Sequence, residues 1–255
     1  MLPRAAAKIC AALLMVAFAA CGAPLSAHAQ LQVDVVALDP TLLSSAAAAA
    51  PEPFGLKTVP VTHGGLIAKW NGVAADIRTE SEVLAHCREQ SAPCPAAAQK
   101  FLAVIAEGRA HDGRARIGIV NRAVNLSIRP TSDLAQWGVP DHWSPPLETL
   151  SSGRGDCEDY AIAKFVALRE AGIDAGDLRL VIVRDLSAGE DHAVTAVRLD
   201  GSWLVLDNRW LALVADADLR RLEPLFVLAN DGVRQFMPVI AQVGRPTSAP
   251  GALQF

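Results

Sequence analysis

The residues best suited to chemistry lie in Gly153-Arg154-Gly155-Asp156-Cys157-Glu158-Asp159-Tyr160, where a glycine-flanked turn runs into an amphipathic pattern. Small and apolar residues recur at Ala161, Ala163, Val166, Ala167 and Leu168, and Ala171-Gly172 marks the helix stop. Cys157 therefore falls in the first turn of a helix. Backbone N–H groups in a first turn lack partners, and the helix dipole there favours negative charge. Such a position lowers a cysteine pKa and favours the thiolate, the nucleophilic form. The competing reading of Cys157 is a small core residue, a common place for free cysteine. His192 to Leu199 and Trp203 to Asp207 alternate with period two, and Asp200-Gly201 between them is a two-residue hairpin signal. That turn pairs Leu199 with Ser202 and Arg198 with Trp203, and continuing the count sets Val194 opposite Asp207. His192, Val194 and Asp207 then share one face, with His192 the diagonal neighbour of Asp207 at roughly 7–8 Å between backbones. A slip of one residue would separate them, and a strand histidine satisfied by solvent is the alternative. Cysteine, histidine and aspartate so placed can act as nucleophile, base and orienting group, with helix-start N–H groups holding an oxyanion.

The same turn carries three carboxylates, Asp156, Glu158 and Asp159, around one thiol. Like charges disfavour ionising the cysteine, and a divalent cation would offset them. Oxygen donors suit calcium. Alternatively Asp156 caps the helix while Glu158 and Asp159 face solvent or accept hydrogen bonds.

Several elements must position these groups. Helical periodicity runs from Thr79 to His86, from Ala96 to Glu107 and from Arg114 to Ile128, where Pro130 ends it. Leu66 to Trp70 reads as a short strand or turn. Residues 131–147 read as a loop whose Trp137, His142 and Trp143 form a flap over the core, with a groove rim as second reading. After the cysteine helix, Leu178 to Val183 and Pro224 to Leu228 add strands, and Asp216 to Arg221 a short helix or turn. Helices followed by an antiparallel sheet define an α+β domain. We place that domain at residues 54–243, after an Ala-, Ser- and Pro-rich tether at 30–53 and before a frayed tail at 244–255.

Residues 1–29 read as an export signal: Arg4 and Lys8, an apolar run from Ile9 to Ala20, and Ala27-His28-Ala29. A lipoprotein box that would lipidate Cys21 is the second reading. Losing Arg4 and Lys8 with the leader takes the net charge from −4 to −6, which gives no basic footprint for nucleic acid. Three cysteines remain, Cys87, Cys94 and Cys157. In an oxidising compartment Cys87 and Cys94 are expected to pair, with reduced thiols or an incomplete metal pair as alternatives. Cys157 is left over, which flags a reactive thiol or an intermolecular bridge.

The order of Cys157, His192 and Asp207 is that of a papain-like arrangement, and several spaced motifs go further. Trp143-Ser-Pro-Pro-Leu-Glu-Thr-Leu, the Gly153 to Lys164 stretch, Asp191-His-Ala-Val and Leu204-Val-Leu-Asp-Asn resemble the bacterial transglutaminase-like cysteine peptidases. Lys69-Trp70-Asn71 and Cys87 with Cys94-Pro95 resemble the family's N-terminal part, so the likeness spans roughly residues 54–235. The resemblance implies a papain/transglutaminase-like fold with the nucleophile helix packed on an antiparallel sheet. It implies a catalytic triad of Cys157, His192 and Asp207, and calcium held by Asp156, Glu158 and Asp159. It also implies a periplasmic endopeptidase that cleaves large surface adhesins, controls biofilm attachment and is sequestered by an inner-membrane cyclic di-GMP receptor. Arg129 departs from the aromatic expected there, which bears on substrate choice. Another acyl-transfer enzyme on this fold, crosslinking proteins or hydrolysing cell-wall peptides, or a non-catalytic binding module, are the rival functions.

Overall fold

Two periodicities in the sequence become a helical layer and a sheet that meet at the cysteine helix. The computed structural model describes residues 51–90 and 93–238; the predicted leader, tether residues 30–50 and the tail from 244 lie outside the described residues. Among the described residues there are six α-helices: α1 (Gly65–Glu89), α2 (Ala96–Arg109), α3 (Gly113–Ser127), α4 (Asp133–Trp137), α5 (Pro146–Ser152) and α6 (Cys157–Glu170). The strands are β1 (Thr58–Pro60), β2 (Arg129–Pro130), β3 (Arg154–Gly155), β4 (Leu178–Asp185), β5 (Glu190–Leu199), β6 (Ser202–Leu206), β7 (Val214–Ala215), β8 (Leu222–Ala229) and β9 (Gly232–Phe236). Seven of them form an antiparallel sheet in the order β1-β9-β8-β4-β5-β6-β7, while β2 and β3 make a small parallel pair. This is the α+β class expected, with helices segregated to one part of the chain and an antiparallel sheet to the other.

Helix α6 is the central element. Every residue from Asp159 to Leu168 is buried, because α2, α3 and α5 pack against it from one side and β4 and β5 from the other. Alternation along the strands divides the sheet's apolar residues into two sets. Leu178, Leu180, Val197 and Leu206 join the helical core, whereas Val181, Val194, Val205 and Val227 form a second cluster with Trp203 and Phe236.

The structure corrects three boundaries. Leu66 to Trp70 lies inside α1, where Trp70 is a core residue, donating from Nε1 to Ala229 O at 3.2 Å and meeting the Phe165 ring edge-on at 5.8 Å. Tertiary burial therefore overrides a weak local pattern. The expected 131–147 loop contains α4 and the start of α5. Pro146 opens α5, where a proline is tolerated because the first-turn N–H would be unpaired anyway. Trp143 is partly buried against the core, as the flap reading expected, and also borders a cavity, as the groove-rim reading expected, while Trp137 is exposed. Residues 51–53, the end of the expected tether, are fixed to the sheet: Pro51 O accepts from Trp203 Nε1 at 2.8 Å, and Glu52 pairs with Arg179 and Arg234. Cys87 and Cys94 form the expected disulfide, with their Cα atoms 5.1 Å apart.

Candidate active site

Cys157 is the first residue of α6, and the local sequence explains how it gets there. Gly153 takes φ 63° and caps α5 in the left-handed region, turning the chain back toward α6. Gly155 passes so close to Asp159 that a Cβ would lie 2.5 Å from Asp159 Oδ2. Asp156 caps α6, and it forms a capping box with Asp159. The helix is then pinned at both sides: Tyr160 donates to Ile128 O at 2.6 Å, and Thr195 Oγ1 donates to Ala161 O at 2.8 Å. The second bond ties the cysteine helix directly to the strand that carries His192.

The hairpin register is the one expected, with Leu199 opposite Ser202 and Arg198 opposite Trp203. His192 Nε2 and Asp207 Oδ1 are 3.0 Å apart, and both side chains are buried. Burial alone would raise the Asp207 pKa, but hydrogen bonds from His192 and Arg209 outweigh it and hold the carboxyl at about 2. An ionised carboxylate only accepts hydrogen bonds, so Nε2 carries the hydrogen and Nδ1 is the basic nitrogen of the neutral ring.

Cys157, His192, Trp143, Ile182, Asp191 and Phe226 line one cavity of about 540 Å³. The Cys157 thiol donates to Glu158 Oε2 at 3.1 Å; no Cys157–His192 hydrogen bond is present among the described residues. The lowered thiol pKa expected from the helix start is not found. Burial and then the Glu158 carboxylate push it up, outweighing the opposing N–H of Ala193. Glu158 is itself raised to about 9, by burial and then by Asp156.

The acidic residues are divided differently from the sequence expectation. Asp156 and Asp159 share a potential cation site with Asp133 of α4, while Glu158 groups with Asp133 and Asp141. The set of Asp156, Glu158 and Asp159 is thus not one triplet, because Asp159 turns inward to accept from Ser144 N at 2.8 Å whereas Glu158 faces the cavity. Asp159 is raised to about 7 by burial, and Asp133 is raised by the same cause. Asp156 Oδ1 is buried with no hydrogen-bond partner. Asp133, Asp141 and Arg209 are not among the candidates read from the sequence, although Arg209 directly follows the Leu204 to Asn208 motif and Asp141 stands just before Trp143, signals that could have found them; Asp133 has no such signal.

A cysteine at a helix start, lining one cavity with a histidine that is bonded to an aspartate, on helices packed against an antiparallel sheet, is the arrangement of the transglutaminase-like class of cysteine hydrolases. The chain belongs to the bacterial transglutaminase-like cysteine proteinases (BTLCP), whose family model matches residues 78–217. It is therefore a cysteine peptidase of that family. Its structure is similar to that of Legionella pneumophila LapG, with a TM-score of 0.51 and 21% identity over 61% of this chain and 86% of that one. The calcium-bound form of that protein gives a TM-score of 0.50 at 20% identity over 62% and 87%, and the EGTA-treated form 0.51 at 21% over 61% and 84%. At such identity the likeness is one of fold. No curated protein sequence matches the chain.

Proposed function

We propose that the protein is an exported, calcium-dependent endopeptidase in which Cys157 is the nucleophile, His192 the base and Asp207 the orienting group. The observation that carries this reading is the buried His192–Asp207 hydrogen bond beside a cavity that Cys157 also lines. Nδ1 of His192 takes the thiol proton, and sulfur attacks the scissile carbonyl to give a tetrahedral oxyanion, which free N–H groups at the start of α6 stabilise. The C–N bond breaks as His192 returns the proton to the leaving amine. Water, deprotonated by the same ring, then hydrolyses the thioester and restores the thiol.

Calcium is supported by the residues present. Asp133, Asp156 and Asp159 are oxygen donors within reach of one another, and the unpaired, buried Asp156 Oδ1 lacks only a partner. Calcium held there, with Glu158 and Asp141 adjoining, supplies positive charge that offsets the carboxylates around Cys157. The calcium-bound and EGTA-treated forms of the Legionella pneumophila protein support the same reading. The export pattern of residues 1–29 and the Cys87–Cys94 disulfide support a periplasmic location. The family resemblance extends the proposal to substrate and partner: a large surface adhesin, hence biofilm attachment, and an inner-membrane cyclic di-GMP receptor.

Adhesin fragments incubated with wild type, Cys157→Ala, His192→Ala and Asp207→Asn test the reading. We expect cleavage by wild type in calcium, none by Cys157→Ala, and strong loss in the other two. Cleavage by Cys157→Ala would sink the triad, and equal rates in calcium and EGTA would sink the metal. Recovery of the mature chain in a cytoplasmic rather than a periplasmic fraction would sink the location.

A further inference from the structure

The orientation of His192 depends on Asp207, and the orientation of Asp207 needs a cause of its own. The terminal torsions of histidine and aspartate are both broad, so neither side chain fixes the other without an external reference. Arg209 supplies one. Its Nε lies 3.2 and 3.1 Å from Asp207 Oδ1 and Oδ2, its Nη2 lies 2.9 Å from Oδ2, and its main-chain N donates to Oδ1 at 2.9 Å. A guanidinium fork spanning both oxygens sets the carboxylate plane and leaves the Nε2 direction on Oδ1 for His192. An arginine side chain is itself flexible, but here its remaining arm is held: Nη1 donates to Asp185 Oδ2 at 2.6 Å. Asp185 in turn is fixed by backbone, with Oδ1 accepting from Ser187 N at 2.8 Å and Ala188 N at 3.2 Å. The chain of contacts therefore ends on the peptide groups of Ser187 and Ala188 in the β4–β5 turn, upstream of His192 on the strand that follows.

We propose that Arg209, braced by Asp185, is a positioning residue that fixes the plane of the Asp207 carboxylate and so the direction in which His192 presents Nδ1 to Cys157. This role rests on the Cys157–His192–Asp207 reading above. It gives the turn between β4 and β5 a part in setting the reacting groups, and it explains why a charged side chain sits two residues beyond the triad aspartate.

The test uses the mature chain with a peptide that wild type cleaves, comparing Arg209→Met, Arg209→Lys and Asp185→Asn, with Cys157→Ala as control. Arg209→Met is expected to lower kcat about 10–100-fold, the effect of a small misplacement of a reacting group. KM is expected to stay within about twofold, since no substrate contact is removed. Arg209→Lys should recover only part of the loss, because a single ammonium cannot span both oxygens. Asp185→Asn should show a smaller fall of the same kind. The Nε2–H proton of His192, followed by NMR, should be sharp in wild type and broadened or shifted in Arg209→Met. A folded Arg209→Met enzyme with wild-type kcat and an unchanged Nε2–H signal overturns the proposal, as does a raised KM at unchanged kcat. Should Arg209→Met fail to fold, Arg209→Lys and Asp185→Asn decide by the same criteria. The control separates the two ideas: cleavage by Cys157→Ala defeats the triad reading, and the NMR signal still decides the clamp.

Discussion

Lys164 is the one lysine of α6, and its ammonium is fully buried with no hydrogen-bond partner among the described residues. It lies over the Tyr160 ring at 5.8 Å. Burial lowers its pKa from 10.5 to about 7, against the pull of the Asp207 charge. A lowered pKa means that the unfolded chain binds more protons between pH 7 and 10.5, so this residue makes stability rise with pH across that window. Lys164→Met is expected to hold or raise Tm at pH 7 and to flatten the rise, as melting curves between pH 7 and 10 would show. A steep rise that survives the substitution would assign it elsewhere. At Gly155 the argument is steric. An added Cβ would meet Asp159 Cβ at 2.7 Å as well as its carboxylate, and Asp159 is held by Ser144 N. Gly155→Ala is expected to cost about 1–3 kcal/mol in urea unfolding, the usual range for overpacking.

At the scale of elements, the helices are joined by short connections that local chemistry fixes. The Cys87–Cys94 disulfide closes a seven-residue separation between the end of α1 and the start of α2. In the chain-entropy view a loop of that size is worth about 2 kcal/mol. Cys87→Ser with Cys94→Ser is therefore expected to lower the unfolding free energy by about that amount, and added reductant should do the same to wild type. Unfolding midpoints with and without reductant check this; equal midpoints would show that the bridge adds nothing. Helix α5 has a different anchor. Glu80 of α1 accepts from Leu147 N at 2.8 Å and Glu148 N at 3.1 Å, satisfying first-turn donors from another helix. No sequence rule for caps finds such a partner, because it lies 67 residues away.

Across the whole molecule, the sheet face opposite the helices is closed by the segment that precedes β1. Phe54 and Leu56 pack on the Val181–Trp203–Phe236 cluster, and Glu52 bonds to Arg179 of β4 and Arg234 of β9, the two strands that flank β8. Glu52→Ala is expected to lower stability by about 2 kcal/mol, a typical loss for hydrogen bonds to charged groups. It should leave kcat unchanged, because it touches none of the cavity-lining groups. Guanidinium unfolding beside a cleavage assay measures both, and a fall in kcat without a fall in stability would contradict the structural role.

The chemistry-bearing residues and their register were legible because they depend on short-range rules. A two-residue turn at Asp200-Gly201 fixes which residues of β5 and β6 face each other, so the His192–Asp207 meeting follows from counting. The helix start at Cys157 follows from Gly153, Asp156 and the periodicity beyond. What the sequence alone did not determine is everything set by distant partners. Trp70 reads as part of a short strand or turn until Ala229 and Phe165 bury it within α1. Asp133 joins Asp156 and Asp159 only because α4 folds back over the cysteine turn. The upward push on the thiol's pKa comes from burial and the pose of Glu158, neither of which is read from the helix start alone. Local backbone geometry is written in neighbouring residues, whereas burial and electrostatic fields are sums over whatever the fold brings close, and those sums exist only in three dimensions.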